Sequence, residues 1–157
     1  WPCFDEEHKG TPILHTQRFG RENGKATFSP CDWTPPHEWP DEEYPFIATT
    51  GRSLFHYHSG SMTRRAATGK YIKELYIEIN PEDAHTLHVE DGDSITVESR
   101  RGVVTGKAKV TDLVSQGMLF LPFHFAEAAA NLLTAAVWDT DSETPGFKIS
   151  AVKLSKI

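Results

Sequence analysis

The pattern of apolar and polar residues changes near residue 45 of the 157-residue chain. Beyond it, several short stretches alternate between apolar and polar positions with the two-residue period of a half-buried β-strand. One further stretch is almost entirely apolar, which is typical of a strand buried on both faces. The strands predicted in this way cover residues 46–50, 75–79, 94–99, 103–110, 118–125 and 148–154.

Two short helices are predicted between these strands. Asn80 is suited to cap a helix and Pro81 to occupy its first position, while Asp91-Gly92-Asp93 ends it. Residues 126–136 are rich in strong helix formers. A mainly β fold with short helices between the strands favours a small closed or nearly closed barrel, because closure removes unpaired strand edges.

The first 45 residues follow a different pattern. Five prolines between residues 30 and 45, together with the acidic run 41–43, predict an extended connector. Two short strands are predicted at 13–19 and 26–28, but the stretch has too few apolar residues for a core of its own. We therefore expect residues 1–45 to be an N-terminal extension and Pro-rich connector that packs on a barrel domain formed by residues 46–157.

The composition disfavours some kinds of partner and indicates a cellular compartment. Sixteen lysines and arginines against 22 acidic residues give a net charge of −6, which disfavours nucleic acid as a partner. No apolar run approaches the roughly 18 residues that a membrane span needs. Cys3 and Cys31 form no metal-binding or disulfide pattern, and two unpaired thiols favour a reducing, cytoplasmic location.

The most informative candidate chemistry follows the first predicted strand. A glycine is succeeded by an arginine, a hydroxyl and two imidazoles (Gly51, Arg52, Ser53, His56 and His58), which suits a phosphorylated heteroaromatic ligand. The alternative is that Arg52 is a solvated charge and that the histidines fill a surface groove. Residues 44–73 contain no acidic third ligand for a metal beside the two histidines, and the sequence shows none of the common catalytic motifs.

A second cluster lies further along the chain and contains His124, Asn131 and the segment 144–148. The Asn131 amide can donate and accept at the edge of a heterocycle. The alternatives are a local cap for Asn131 and a solvent-facing side chain for Lys148. The residues themselves leave these alternatives open.

Blocks along the whole chain resemble the C-terminal domain of molybdenum- or tungsten-dependent formate dehydrogenase alpha subunits, within the molybdopterin oxidoreductases. The matching text includes Trp1-Pro2-Cys3, the T-T-G-R of residues 49–52, the I-N-P-E-D-A block from Ile79, Asn131-Leu132-Leu133-Thr134 and the T-P-x-F-K of residues 144–148. The resemblance implies a double-psi β-barrel that binds molybdopterin guanine dinucleotide. The positions carried over as cofactor contacts are Arg52, Ser53, His56, His58, Phe123, Asn131, Phe147 and Lys148.

Three of these positions depart from the family's usual residues. Phe123 and Phe147 stand where tyrosine can occur, which puts a hydroxyl contact in doubt, and His58 stands where serine can occur. Family members hold the metal, molybdenum or tungsten, through a cysteine or selenocysteine in an earlier domain, and they carry an iron–sulfur cluster near the N-terminus. Neither cysteine of this chain has that setting, so we predict no metal ligand and no catalytic residue here.

The hypothesis is that the chain is the terminal fragment of a larger oxidoreductase subunit that oxidises formate to carbon dioxide, and that the fragment is inactive by itself. Its expected partners are the remaining domains of the parent subunit and electron-transfer subunits. One alternative is the cofactor-binding domain of another molybdopterin oxidoreductase, such as a nitrate reductase. Another is a barrel interaction module that binds no ligand.

Overall fold

The computed structural model describes residues 2–157, and its contacts divide the chain into two units between Pro35 and Pro36. The second unit contains the regular elements found within the described residues: β1 (Phe46–Gly51), β2 (Tyr76–Ile79), α1 (Pro81–Thr86), β3 (Ser94–Ser99), β4 (Val103–Val110), β5 (Met118–Pro122) and β6 (Ser150–Lys156).

The strands close into a barrel in the order β1-β5-β2-β4-β3-β6. The β1–β5 and β2–β4 pairs are parallel, and the other neighbours are antiparallel. Exchanging β1 with β4, β2 with β5 and β3 with β6 reproduces the same ring of neighbours, so the barrel has an approximate internal twofold symmetry. This is the double-psi β-barrel that the sequence resemblance predicts, and the predicted fold class is confirmed.

The barrel core consists of the alternate residues that the two-residue period predicts to point inward. In β3, Ile95 and Val97 are fully buried while Thr96 and Glu98 between them are partly exposed. Equivalent inward positions on the other strands are also fully buried: Ile77, Ile79, Leu119, Leu121 and Val152.

The helix α1 begins as its sequence predicts. The Asn80 side-chain oxygen accepts a hydrogen bond from the Glu82 amide at 3.0 Å, and its amide nitrogen donates to the Val114 carbonyl at 2.9 Å. Asn80 therefore caps the helix and ties it to the segment that precedes β5.

The predicted helix at 126–136 is wrong. The structure has two 3-10 turns instead, Ala126–Ala128 and Ala130–Leu133. The extended backbone of Ala129 (φ −69°, ψ 107°) separates them, and Phe125 offers no side-chain cap before the first. Ala130 and Leu133 are buried, so packing into the barrel determines the conformation here more than helix propensity does.

Residues 36–45 belong to the barrel unit. The Glu38 carboxylate, with a side chain only 11% exposed, accepts hydrogen bonds from Arg101 and from the Ala151 amide. Tyr44 is buried, with the Arg100 guanidinium 4.4 Å from the centre of its ring. The connector is therefore fixed to the β3–β4 turn and to β6.

The first unit has no strand or helix within residues 2–35. The strands predicted at 13–19 and 26–28 are absent there, and the Phe19 amide donates instead to the Gly24 carbonyl across a turn. None of these residues is buried, which agrees with the expectation that this stretch forms no core of its own. The predicted role of residues 1–45, an extension packing on the barrel, stays a prediction.

Candidate functional site

A cavity of about 480 Å³ lies at one end of the barrel, where β1 and β5 both finish. Because these strands are parallel, with Gly51 opposite Pro122, the residues that follow each strand meet at the same edge. The cavity is lined by Thr50, Gly51, Arg52, His58, Phe123, Asn131, Phe147 and Lys148.

Six of the eight sequence-predicted site residues therefore line one cavity, although they come from four separate segments. Arg52 and Phe123 follow β1 and β5, and Asn131 lies in the second 3-10 turn. Phe147 and Lys148 lie just before β6. The barrel topology brings these segments together.

Arg52 is held by a neighbouring imidazole. Its Nη2 lies 3.2 Å from the Nε2 of His58, and since a guanidinium has no acceptor, Nε2 of His58 accepts this hydrogen bond. His58 has a positive φ of 48°, which is uncommon outside glycine and aims its ring back towards Arg52. The pair leaves the other guanidinium donors available to a ligand.

Lys148 is tied to the end of β1. Its ammonium donates a hydrogen bond to the Thr50 carbonyl, and the Thr50 hydroxyl donates to the Phe147 carbonyl at 2.8 Å. The two sides of the cavity are thus joined through Thr50. Sequence reasoning did not assign Thr50 to the site; its position directly before the glycine at the end of a predicted strand was the signal available.

Gly51 leaves no room for a side chain beside the cavity while the Phe120 ring keeps its position. A Cβ at this position would lie 2.5 Å from Cε2 of Phe120, which is closer than carbon atoms approach. The expectation that Gly51 allows a close approach therefore has a specific counterpart in the structure, namely the ring of Phe120.

The remaining two predicted residues, Ser53 and His56, are buried and do not line the cavity. Within residues 2–157 the Ser53 hydroxyl has no hydrogen-bond partner. His56 donates from Nε2 to the Ile72 carbonyl at 3.3 Å, and its Nδ1 lies 3.1 Å from the Thr63 hydroxyl. His56 thus connects the beginning of the loop 52–73 to its middle and its end.

The ring of His124 stacks on the ring of His56, with their centroids 4.2 Å apart. The side chain is buried, and neither ring nitrogen has a hydrogen-bond partner among the described residues. Burial, then the neighbouring His56 and the positive charge of Arg64, lower the pKa of His124 to about 4. This ring is therefore uncharged at neutral pH and acts as part of the core beneath the loop.

The loop 52–73 is a hydrogen-bonded structure with two 3-10 turns, Thr63–Arg65 and Ala67–Lys70. Arg64 is its central side chain: the guanidinium forms an ion pair with Glu127 at 2.7 Å and lies 5.5 Å from the centre of the Phe125 ring. A Cβ on Gly69 would lie 2.7 Å from the Arg64 carbonyl oxygen. These contacts fix the loop that carries Arg52 and His58.

The chemistry of the lining fits a phosphorylated heteroaromatic group. Two cationic side chains, one carboxamide, one imidazole and two phenyl rings line the cavity, and none of its described lining residues carries a carboxylate. Guanidinium and ammonium groups bind phosphate oxygens, and a carboxamide donates to and accepts from heterocycle edges. The Ser53 hydroxyl, next to Arg52, is buried and does not line the cavity.

Nowhere in residues 2–157 do three or more His, Cys, Asp or Glu side chains lie together as a group that could hold a metal ion. Over the same range, the structure contains no helix with both the length and the apolar character needed to cross a bilayer.

Comparison with known families matches residues 46–151, the barrel apart from most of β6, to the molydopterin dinucleotide binding domain. The chain belongs to this family. Over its full length it is also 48% identical to the alpha subunit of F420-dependent formate dehydrogenase from Methanocaldococcus jannaschii, of which it covers 24%. The predicted relation to formate dehydrogenase alpha subunits is confirmed.

This dinucleotide-binding domain is also similar to parts of proteins that are named for other reactions. The chain is 36% identical over its full length to the assimilatory nitrate reductase catalytic subunit of Bacillus subtilis, of which it covers 23%. Acetylene hydratase from Pelobacter acetylenicus has a similar structure, with a TM-score of 0.63 and 17% identity over 73% of this chain and 18% of that one. This last likeness is one of fold. The chain spans about a quarter of the length of its formate dehydrogenase relatives.

Proposed function

We propose that the cavity at the ends of β1 and β5 binds part of a molybdopterin guanine dinucleotide. The observation that supports this proposal is that Arg52, His58, Phe123, Asn131, Phe147 and Lys148, which are distant in sequence, line one cavity. A cavity of about 480 Å³ is within the usual range for small-molecule sites. It suits part of this large cofactor, and other domains complete the site.

Each lining side chain has a role that follows from its chemistry. Arg52 would bind phosphate oxygens through the guanidinium donors that His58 leaves free, and Lys148 would supply a compact second positive charge. Asn131 binds the edge of a heterocycle, and the rings of Phe123 and Phe147 pack against its face. Ser53 and His56 are buried and support the site without lining the cavity: Ser53 adjoins Arg52, and His56 holds the loop that carries Arg52.

We further propose that the parent polypeptide is a formate dehydrogenase alpha subunit. In that reaction formate is oxidised to carbon dioxide with release of one proton and two electrons. When bound, the molybdopterin with its molybdenum or tungsten supplies this redox chemistry. The metal ligand and the iron–sulfur cluster belong to other domains, electron-transfer subunits accept the electrons, and the chain alone does not oxidise formate.

A cytoplasmic location is part of the same proposal, because Cys3 and Cys31 are both free thiols. The second candidate, a nitrate reductase, rests on the 36% identity to the assimilatory enzyme, which is lower than the 48% identity to the formate dehydrogenase. Assays of the purified parent protein with formate and with nitrate separate the two: the proposal expects turnover of formate and none of nitrate.

Calorimetric titration of the chain with guanosine diphosphate tests the pocket directly. The proposal expects Arg52→Ala and Lys148→Ala each to weaken binding by about tenfold or more, since a charge-assisted hydrogen bond contributes about 1.5–3 kcal/mol. Lys109→Ala is the matched control, because this lysine lies outside the cavity and forms an ion pair with Glu78.

Two results would contradict the proposed pocket. One is equal weakening by the control and by the two pocket variants, which would indicate a nonspecific charge effect. The other is that neither guanosine diphosphate nor the extracted dinucleotide binds at about 1 mM, a concentration that detects even weak sites.

A further inference from the structure

Thr50 occupies the point where two neighbouring strands of the barrel stop pairing. The antiparallel ladder between β1 and β6 runs from Phe46–Val152 to Ala48–Ser150. In the same register Thr49 would pair with Ile149 and then Thr50 with Lys148, but β6 begins at Ser150 and the ladder does not continue. The cavity opens at this place.

Bonds made by side chains replace the missing ladder. The Thr50 hydroxyl donates to the Phe147 carbonyl at 2.8 Å, and the Lys148 ammonium donates to the Thr50 carbonyl. Thr50 is 4% exposed and its strand neighbour on the other side is Leu121, so its own position is fixed by the barrel. One buried residue therefore holds both the backbone and the charged end of the segment 147–148.

The loop before this segment, residues 137–146, is stabilised mainly by hydrogen bonds between its own residues. The Gly146 amide donates to the Val137 carbonyl at 2.9 Å, the Asp139 amide donates to the Thr144 carbonyl at 2.9 Å, and Trp138 forms a bridge with Pro145. These bonds stabilise the loop internally and do not place Lys148 relative to Arg52. The two bonds to Thr50 do.

We propose that Thr50 is a positioning residue for Lys148, which it holds ready for an anionic ligand oxygen. An ammonium group has three donors, so Lys148 can keep its bond to the Thr50 carbonyl and still donate to a phosphate oxygen. A lysine that is already ordered loses less side-chain entropy on binding. This inference rests on the proposed function of the pocket and adds a residue that does not itself need to touch the ligand.

Thr50→Val tests the inference, because valine keeps the shape and the β-branch but lacks the hydroxyl. Guanosine diphosphate is the probe, and its binding to the 157-residue chain is expected to weaken about tenfold, as for loss of one hydrogen bond near 1.4 kcal/mol. Thr50→Ser restores the donor and is expected to bind within about twofold of the wild type. Thr86→Val, which removes the hydroxyl bond from Thr86 to the Glu82 carbonyl in α1, is the matched control and leaves binding unchanged.

Two readouts separate positioning from general stability. Amide hydrogen exchange in residues 146–149 of the ligand-free chain is expected to be faster in Thr50→Val than in the wild type or Thr50→Ser. In addition, Lys148→Ala should cost less affinity in the Thr50→Val background than in the wild type, because the two residues act together.

The outcomes distinguish this inference from the function on which it rests. If the wild-type chain binds guanosine diphosphate and Thr50→Val binds it equally well, the Thr50 inference is overturned alone. It is also overturned if Thr50→Ser is as weak as Thr50→Val, or if the effects of Thr50→Val and Lys148→Ala simply add. If the wild-type chain binds neither this probe nor the extracted dinucleotide, both the inference and the proposed pocket are overturned.

Discussion

Gly51 is the smallest residue of the site, and the space beside it is filled by a neighbouring side chain. Gly51 ends β1 beside the ring of Phe120, which projects from β5 and leaves no space for a Cβ. Arg52 follows Gly51 directly in the chain and lines the cavity. A change at Gly51 therefore alters both the barrel and the position of the arginine.

Gly51→Ala is expected to lower the free energy of unfolding by about 1–3 kcal/mol, as for other substitutions that overpack a core. Urea denaturation measures this loss. The double variant Gly51→Ala with Phe120→Leu makes room for the new methyl group and should recover part of the stability lost by the single alanine substitution. An alanine variant as stable as the wild type would show that the ring of Phe120 is free to move aside.

The buried imidazole of His124 predicts how stability depends on pH. Its pKa is about 4 in the folded chain, while an unfolded histidine titrates near the ordinary 6.5. The unfolded state therefore binds the proton first as the pH falls, and stability decreases between pH 6.5 and 4, by up to about 1.4 kcal/mol for each pH unit.

His124→Phe keeps a ring stacked on His56 but removes the titration. Urea denaturation at a series of pH values is expected to show a shallower loss of stability for this variant between pH 6.5 and 4 than for the wild type. Parallel curves for the two proteins in this interval would contradict the lowered pKa.

Residue chemistry and the family resemblance together identified most residues of the candidate site. Arginine, lysine, asparagine and aromatic side chains were identified by their chemistry and by the family resemblance, and six of those positions line one cavity. Thr50 was not identified, because its role depends on the register between β1 and β6, 100 residues apart in sequence. The burial of Ser53 and His56 depends likewise on how the loop 52–73 packs on Phe125 and His124.

Among the elements, the strands were predictable because most alternate with a two-residue period and one is a continuous apolar run, and the conformation of the residues around 130 was not predictable. Alanine-rich sequence favours a helix, yet the chain folds there as two 3-10 turns separated by Ala129. This local outcome places Asn131 at the cavity while Leu133 is buried. Long-range packing, which the local sequence does not encode, decides the conformation.

The connector, residues 36–45, also stabilises the barrel, and it does so through Glu38. Burial by itself would raise the pKa of Glu38, but the hydrogen bonds from Arg101 and the Ala151 amide and the positive charges of Arg101 and Arg100 lower it below its ordinary value. The folded state thus favours the carboxylate form. The stabilisation is present above the unfolded pKa and is lost as the pH falls through the folded one.

Glu38→Gln is expected to lower the free energy of unfolding at neutral pH by about 1–3 kcal/mol, because bonds to a charged acceptor are replaced by weaker ones. The matched control is Glu98→Gln, which removes an exposed ion pair with Lys153 and should cost at most about 1 kcal/mol. Urea denaturation of both variants measures the difference. Equal effects of the two substitutions would contradict a special role for Glu38.

At the scale of the whole molecule, the twofold symmetry of the barrel makes the two ends of the parallel pairs equivalent in backbone but not in charge. The residues after β2 and β4 include Glu82, Asp83 and Asp112, whereas Arg52 follows β1. The same fold thus presents an acidic end and an end with a cationic cavity. An anionic ligand is favoured at the second in a chain whose net charge is −6.

Exposed apolar side chains on the loop 52–73 predict self-association of the chain. Leu54 is 91% exposed and Met62 is 67% exposed, with Tyr57 and Tyr71 also largely exposed. Light scattering is expected to show a mass that rises with protein concentration, and Leu54→Lys with Met62→Lys should reduce this rise. Leu113→Lys, at another exposed leucine, is the control; a wild-type chain that stays monomeric at high concentration would contradict the prediction.

The central claim is that the cationic cavity at the ends of β1 and β5 is the nucleotide-binding surface of this family member. The most direct measurement is a nuclear magnetic resonance titration of the isotope-labelled chain with guanosine diphosphate, followed residue by residue. The largest chemical-shift changes are expected at Arg52, Asn131 and Lys148, with small changes at the acidic end near Asp83. Changes centred on the acidic end, or spread evenly over the surface, would contradict this claim.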